Sequence, residues 1–173
     1  MAFRSVAPLG VPETTRPQES PRSLVKRLAL SKALAVAARH PGHWVLGCDT
    51  EVALGRRVLG KPKNPQAARE MIHSLSNRSH QVLSGLALVG PGGQILFRDC
   101  VASRVSFGPI PPAELQAYLK TREPYDKAGG YGIQGTARRW VTSLEGDYFN
   151  VMGLPVSRVL EALIRHGLWQ KRH

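Results

Sequence analysis

Two segments of the chain mark helix starts in the same way: a small polar residue, then proline, then apolar residues at helical spacing. Ser20-Pro21 is the first and Asn64-Pro65 the second. A Ser or Asn at the N-cap accepts a hydrogen bond from an otherwise unpaired N–H of the first turn, and proline at the next position gives up only an N–H that has no helical partner. After Ser20, the residues Leu24, Val25, Leu28, Ala29 and Val36 share one face. After Asn64, the residues Ala68, Met71, Ile72 and Leu75 do the same. Both helices are one-sided, so each needs an apolar surface to cover.

The intervening segments supply that surface as strands. Residues 44–48 are a short apolar run, expected to be a buried strand that ends at Asp49-Thr50. Residues 52–59 read as a hairpin around Gly55-Arg56. Residues 82–89 and 94–107 read as strands joined by Gly90-Pro91-Gly92-Gly93. Pro111-Pro112 opens a helix through Leu115, Tyr118 and Leu119, and residues 140–144 read as a strand. A last helix over residues 155–165 packs through Val159, Leu160, Leu163 and Ile164 and stops at Gly167. Helices and strands alternate and hairpins adjoin, so the expected class is α/β with a mixed β-sheet and flanking helices. Residues 1–19, with Pro8, Pro12 and Pro17, read as loop. The 173 residues show no repeat or linker, so a single domain over residues 1–173 is expected.

The charge balance narrows the partners. The chain carries 24 Lys and Arg against 12 Asp and Glu, a net charge of +12. That excess favours an anionic partner or a solvated basic surface. A nucleic-acid module would want a basic cluster interleaved with aromatics. The basic residues here are scattered and aromatics are 6%, so no stable nucleic-acid partner is expected. Two distant cysteines, Cys48 and Cys100, form neither a disulfide framework nor a zinc pattern. No apolar run approaches the roughly 20 residues of a membrane span. The expected setting is the cytoplasm, with no membrane partner.

Four features are candidates for chemistry, each with a plainer alternative. Asp49 follows a buried strand, where an acid can hold a cation or take a proton from water, or simply cap a turn. Lys32 interrupts the apolar stripe of the first helix; it meets an anion there or snorkels to water. Lys61, in Gly60-Lys61-Pro62, is a phosphate-binding lysine or an ordinary turn residue. The stretch over residues 123–135 has four glycines in the seven residues from Gly129 to Gly135, both charges at Asp126 and Lys127, and an amide at Gln134. Thirteen residues without periodicity point to a binding loop rather than a plain connection. No Gly-Lys-Ser/Thr closes it, so it is not a Walker loop.

Taken in order, these pieces resemble the Maf family of nucleoside triphosphate pyrophosphatases. The motifs that carry the resemblance are Glu19-Ser20-Pro21, Lys32-Ala33, Gly47-Cys48-Asp49-Thr50, Leu59-Gly60-Lys61-Pro62, the run Asp126-Lys127-Ala128-Gly129-Gly130-Tyr131-Gly132-Ile133-Gln134-Gly135, and Gly146-Asp147-Tyr148-Phe149-Asn150. The resemblance implies an ITPase-like fold with two lobes around a nucleotide cleft. It implies hydrolysis of dTTP and UTP, with modified pyrimidine nucleotides beside them, to the monophosphate and pyrophosphate. The implied cofactor is a divalent metal cation, Mg²⁺ or Mn²⁺, and the implied assembly a homodimer. Asp49 matches the catalytic acid, Thr50 and Gln134 match base-selecting positions, and Lys32 and Lys61 match phosphate-holding lysines, with Lys127 beside them. Glu13 and Asp49 match acidic groups near the metal, although Pro12 stands where the family has Asp. The family pattern also begins with a strand and a Ser-x-Ser-Pro-Arg-Arg loop that nothing here matches, so a chain lacking that phosphate-gripping segment is expected. A non-enzymatic nucleotide-binding regulator of cell division is the alternative.

Overall fold

The computed structural model describes residues 3–169. Helix α1 spans Pro21–Ala37, with the Ser20 side chain accepting from the Ser23 N–H at 3.2 Å. Strand β1 spans Val45–Leu54 and turns at Gly55 (φ +61°) into the short β2, Arg57–Leu59. Helix α2, Pro65–Leu75, is capped by the Asn64 side chain, which accepts from the Ala67 N–H at 2.8 Å. The long hairpin is β3, Ser79–Val89, and β4, Ile95–Phe107. Then come α3 (Pro112–Leu119), β5 (Val141–Glu145), the short α4 (Tyr148–Met152) and α5 (Val156–Arg165). These are the helices and strands of an α/β fold.

The sheet order is β2-β1-β3-β4-β5. A mixed sheet was expected, but all four pairings among the described residues are antiparallel. Hairpins join β1 to β2 and β3 to β4, and a hairpin can only be antiparallel. Along Val45–Ala53, β1 pairs with β3, whereas β2 reaches only Val52–Leu54. Over residues 45–51, then, the second edge of β1 has no strand partner among the described residues.

One face of the sheet takes α1. The helix lies against Gly47 and Gly85 so closely that a Cβ on Gly47 would come within 2.3 Å of the Ala29 carbonyl oxygen. A Cβ on Gly85 would come within 2.0 Å of the Val25 carbonyl oxygen. The opposite face carries two apolar clusters. Val52, Val82, Val105 and Phe107 meet Ile72 and Leu75 of α2, Leu115 and Tyr118 of α3, Tyr131 and Trp140. Leu86, Leu88 and Phe97 meet Val159 and Ala162 of α5. The α5 face is rotated from the expected stripe: Val159, Ala162 and Leu163 pack inward, and Ile164 is 43% exposed.

Candidate active site

A cleft of about 820 Å³ runs along β1 and gathers residues that are far apart in the sequence. Its size suits a small-molecule ligand. Glu13, Lys32, Asp49, Thr50, Lys61, Lys127 and Gln134 all line it.

Asp49 was expected at the end of a strand. It lies instead in the middle of β1, paired across the sheet with Gly85. The strand continues because the ladder to β3 runs on as far as Ala53, and the side chains keep alternating between the two faces. That alternation decides what each side chain meets. Asp49 and Glu51 point to the α1 face, while Cys48, Thr50 and Val52 point to the other.

On the α1 face, Lys32 reaches down from the helix. Its Nζ donates to Asp49 Oδ1 at 2.6 Å and lies 2.5 Å from Glu13 Oε1. Its side chain is only 19% exposed, so it meets anions rather than snorkelling to water. Burial works against the Lys32 charge, but the hydrogen bonds to Asp49 and Glu13 outweigh it and hold the ammonium protonated. Burial also pushes the Asp49 carboxyl above the usual carboxylate range, and the Lys32 ammonium pulls it back only in part. Glu51, two residues along the same face, is pushed up to about 7 by burial and by the Asp49 charge. Asp49 Oδ2 and Glu51 Oε2 are both buried without a hydrogen-bond partner.

On the other face, Thr50 Oγ1 donates to the Gly153 carbonyl at 3.1 Å and sits 2.7 Å from Ser84 Oγ. Cys48 Sγ donates to the same carbonyl at 3.2 Å. Burial pushes the Cys48 thiol up to about 11, so it packs as a thiol and is no nucleophile. Gly153 ends α4 in a left-handed conformation (φ +113°) that Gly adopts without strain. Asp147 starts that helix by accepting from the Phe149 N–H at 2.7 Å, and fully buried Asn150 anchors it by donating to the Val82 carbonyl and Ser103 Oγ, each at 3.0 Å.

The glycine-rich stretch forms the far wall. It is less irregular than expected at its start, where Glu123–Asp126 is a 3₁₀ turn, whereas Gly129 and Gly130 both take positive φ. The Gly129 N–H donates to the Gly60 carbonyl at 3.1 Å, which joins this wall to the Lys61 loop. A Cβ on Gly129 (φ +73°) would meet Val52 at 2.8 Å, so only glycine fits there. Glu123 Oε2 accepts from the Thr136 N–H at 2.9 Å and closes the loop on itself. Lys127 Nζ donates to Asp126 Oδ1 at 2.8 Å. Gln134 stands exposed on the same wall.

The acidic side of the cleft fits a divalent cation. Its groups are hard carboxylate oxygens, and two buried ones lack any donor. Among the described residues no three His, Cys, Asp or Glu side chains form a group that would hold a metal ion by themselves. Mg²⁺ commonly takes one or two carboxylates and completes its shell with water and substrate phosphates, so this set is sufficient.

The family profile described as Maf-like protein matches residues 1–166. The chain belongs to the Maf family. Its relatives in that family include the "dTTP/UTP pyrophosphatase" of Koribacter versatilis, 45% identical over 168 residues, 97% of this chain and 86% of the relative. The protein of the same name from Symbiobacterium thermophilum is 47% identical over 149 residues, 86% of this chain and 76% of the relative. That from Clostridioides difficile is 43% identical over 148 residues, again 86% and 76%. The five-stranded sheet with flanking helices agrees with a Maf fold. No helix among the described residues is long and apolar enough to cross a membrane.

Two elements of this Maf site were missed from the sequence. Glu51 escaped because the first strand was expected to stop at residue 48. Read as one longer strand, Asp49-Thr50-Glu51 puts both carboxylates on one face. The Gly153 carbonyl is a backbone group, and side-chain identity gives no signal for it.

Proposed function

We propose that this chain hydrolyses nucleoside triphosphates to the monophosphate and pyrophosphate in the cytoplasm, with dTTP and UTP as substrates and Mg²⁺ or Mn²⁺ as cofactor. The supporting observation is the convergence on one cleft of Asp49, three lysines, Thr50 and Gln134 from remote parts of the chain. The relatives' names point to the same reaction and bases.

The roles follow from the surroundings of each residue. Asp49 orients the attacking water and takes its proton. A carboxyl raised by burial is a stronger base than an exposed one, and its Oδ2 is free to accept. Lys32 fixes Asp49 through Oδ1 and, with Lys61 and Lys127, presents positive charge to the phosphates. A bound cation, held by Asp49 with Glu13 nearby, would supply charge that polarises the phosphate oxygens. Thr50 and Gln134 face the base. The Thr50 hydroxyl hydrogen is committed to Gly153, so its remaining lone pair offers an acceptor, and the Gln134 amide offers both roles.

The test is pyrophosphate release by the purified chain with Mg²⁺ from each of the common nucleoside triphosphates. Faster turnover of dTTP and UTP than of purine nucleotides is expected. Asp49→Asn should lower kcat by on the order of 10³, within the range for loss of a general base, with an unchanged circular dichroism spectrum. Wild-type chain that releases no pyrophosphate would overturn the proposal.

A further inference from the structure

Three carboxylates lie on the acidic side of the cleft, and they are not equally served. Lys32 bridges Glu13 and Asp49 through single oxygens. Glu51 receives no hydrogen bond from any described residue at its buried Oε2. Asp49, with a side chain 7% exposed, keeps Oδ2 unpartnered in the same cleft. A buried anionic oxygen without a donor is costly, and the cost rises when a second such oxygen sits beside it. Asp49 and Glu51 are separated by two residues of strand, roughly 6.5 Å of backbone, and share one face. The group this pair lacks is positive, compact enough to reach oxygens below the cleft surface, and suited to hard oxygen donors.

We propose that Glu51 is a second carboxylate ligand, alongside Asp49, for the divalent cation. The two side chains project from neighbouring same-face positions of one rigid strand, so their spacing is set by the sheet and not by a loop. Lys32 leaves one oxygen of Asp49 untouched, and its two lone pairs serve the cation as well as the attacking water. Substrate phosphates and water complete the shell, in keeping with the preference of Mg²⁺ and Mn²⁺ for oxygen. Glu13, 58% exposed and engaged with Lys32, then serves the lysine more than the cation. The inference rests on the hydrolase reading for the presence of a cation, but its test does not depend on turnover.

The experiment titrates Mn²⁺ alone into wild-type protein, Glu51→Gln and Glu51→Asp at pH 8, read by electron paramagnetic resonance and by thermal shift. Loss of the ligand should weaken Mn²⁺ binding at least about tenfold in Glu51→Gln, the lower end of what loss of even a supporting group costs a metal site. Glu51→Asp should bind better than Glu51→Gln. In EDTA the Gln variant should melt at or above the wild-type temperature, because it removes an unpaired buried charge. Mn²⁺ should raise the melting temperature of wild type more than that of the variant. A purely structural Glu51 would instead lower the metal-free melting temperature and leave Mn²⁺ binding unchanged. Mn²⁺ affinity of both variants within twofold of wild type, or no Mn²⁺ binding by wild type, overturns the assignment. Pyrophosphate release by wild type, assayed separately with Mg²⁺, then decides whether the hydrolase reading stands without Glu51 or falls with it.

Discussion

Acidification should loosen this protein through one residue, His80. The imidazole is 2% exposed on β3, shares a 2.7 Å hydrogen bond through Nε2 with the Tyr131 hydroxyl, and stacks edge-on against Phe107 and Tyr131 at 5.0 and 5.4 Å. Nδ1 has no partner. Burial lowers its pKa from 6.5 to about 4, because the charged ring would have no solvent. The unfolded chain therefore takes up a proton below pH 6.5, while the folded protein resists until about pH 4. His80 lends its full stability above pH 6.5, and that stability is lost as the pH falls through this window. At 1.36 kcal/mol per pH unit, the loss between pH 7.5 and pH 4.5 is about 2.5 kcal/mol. Urea unfolding of wild type and His80→Gln at several pH values measures it. Gln keeps a partner for Tyr131 and cannot titrate, so the wild-type deficit should appear as a stability difference that changes by about 2.5 kcal/mol across the range. A difference that stays constant within about 0.5 kcal/mol would falsify the assignment. Because Tyr131 belongs to the cleft wall, limited proteolysis after residue 123 should also speed up in acid.

Two further outcomes follow from the contacts around α1. Gly85→Ala places a methyl 2.0 Å from the Val25 carbonyl oxygen, so α1 must lift from the sheet; a loss on the order of 3 kcal/mol is expected in denaturant titration, the upper part of the range for overpacking. Lys32→Met removes the ammonium that restrains Asp49 from rising further, so the acid limb of the kcat/KM profile for UTP should move to higher pH, and an unmoved limb would show that Lys32 does not set the ionisation of Asp49.

Much of this fold was legible because its signals are local. Ser20 and Asn64 cap their helices as their side chains require, and the stripes of α1 and α2 follow from periodicity. The hairpin glycines at 90–93 sit where the chain reverses. The misreadings came from non-local effects. β1 runs on through Asp49 because β3 supplies a ladder as far as Ala53, and no property of residues 49–54 alone reveals that partner. The α5 stripe turned away from Ile164 because the sheet, not the helix, chooses which face is covered. Helix α4 is five residues long and depends on Asp147 and on Asn150 reaching across to Val82 and Ser103, contacts 68 and 47 positions apart in sequence. At the site, Lys32 was visible as a misplaced charge and Asp49 as a strand-borne acid. Glu51 needed the strand's true length before its facing could be known.

The open edge of β1 gives the strand an unusual office. The cleft reaches both faces of the strand, touching Asp49 on one side and Thr50 on the other. Asp49 and Glu51 face the α1 side, where Lys32 lies, and Cys48 and Thr50 face the Gly153 carbonyl. Adjacent letters of the sequence thus meet separate surroundings. The same arrangement makes the strand intolerant of a change in count. One residue deleted before Asp49 would hand Thr50 to Lys32 and turn the carboxylate toward the Gly153 carbonyl, reversing the site.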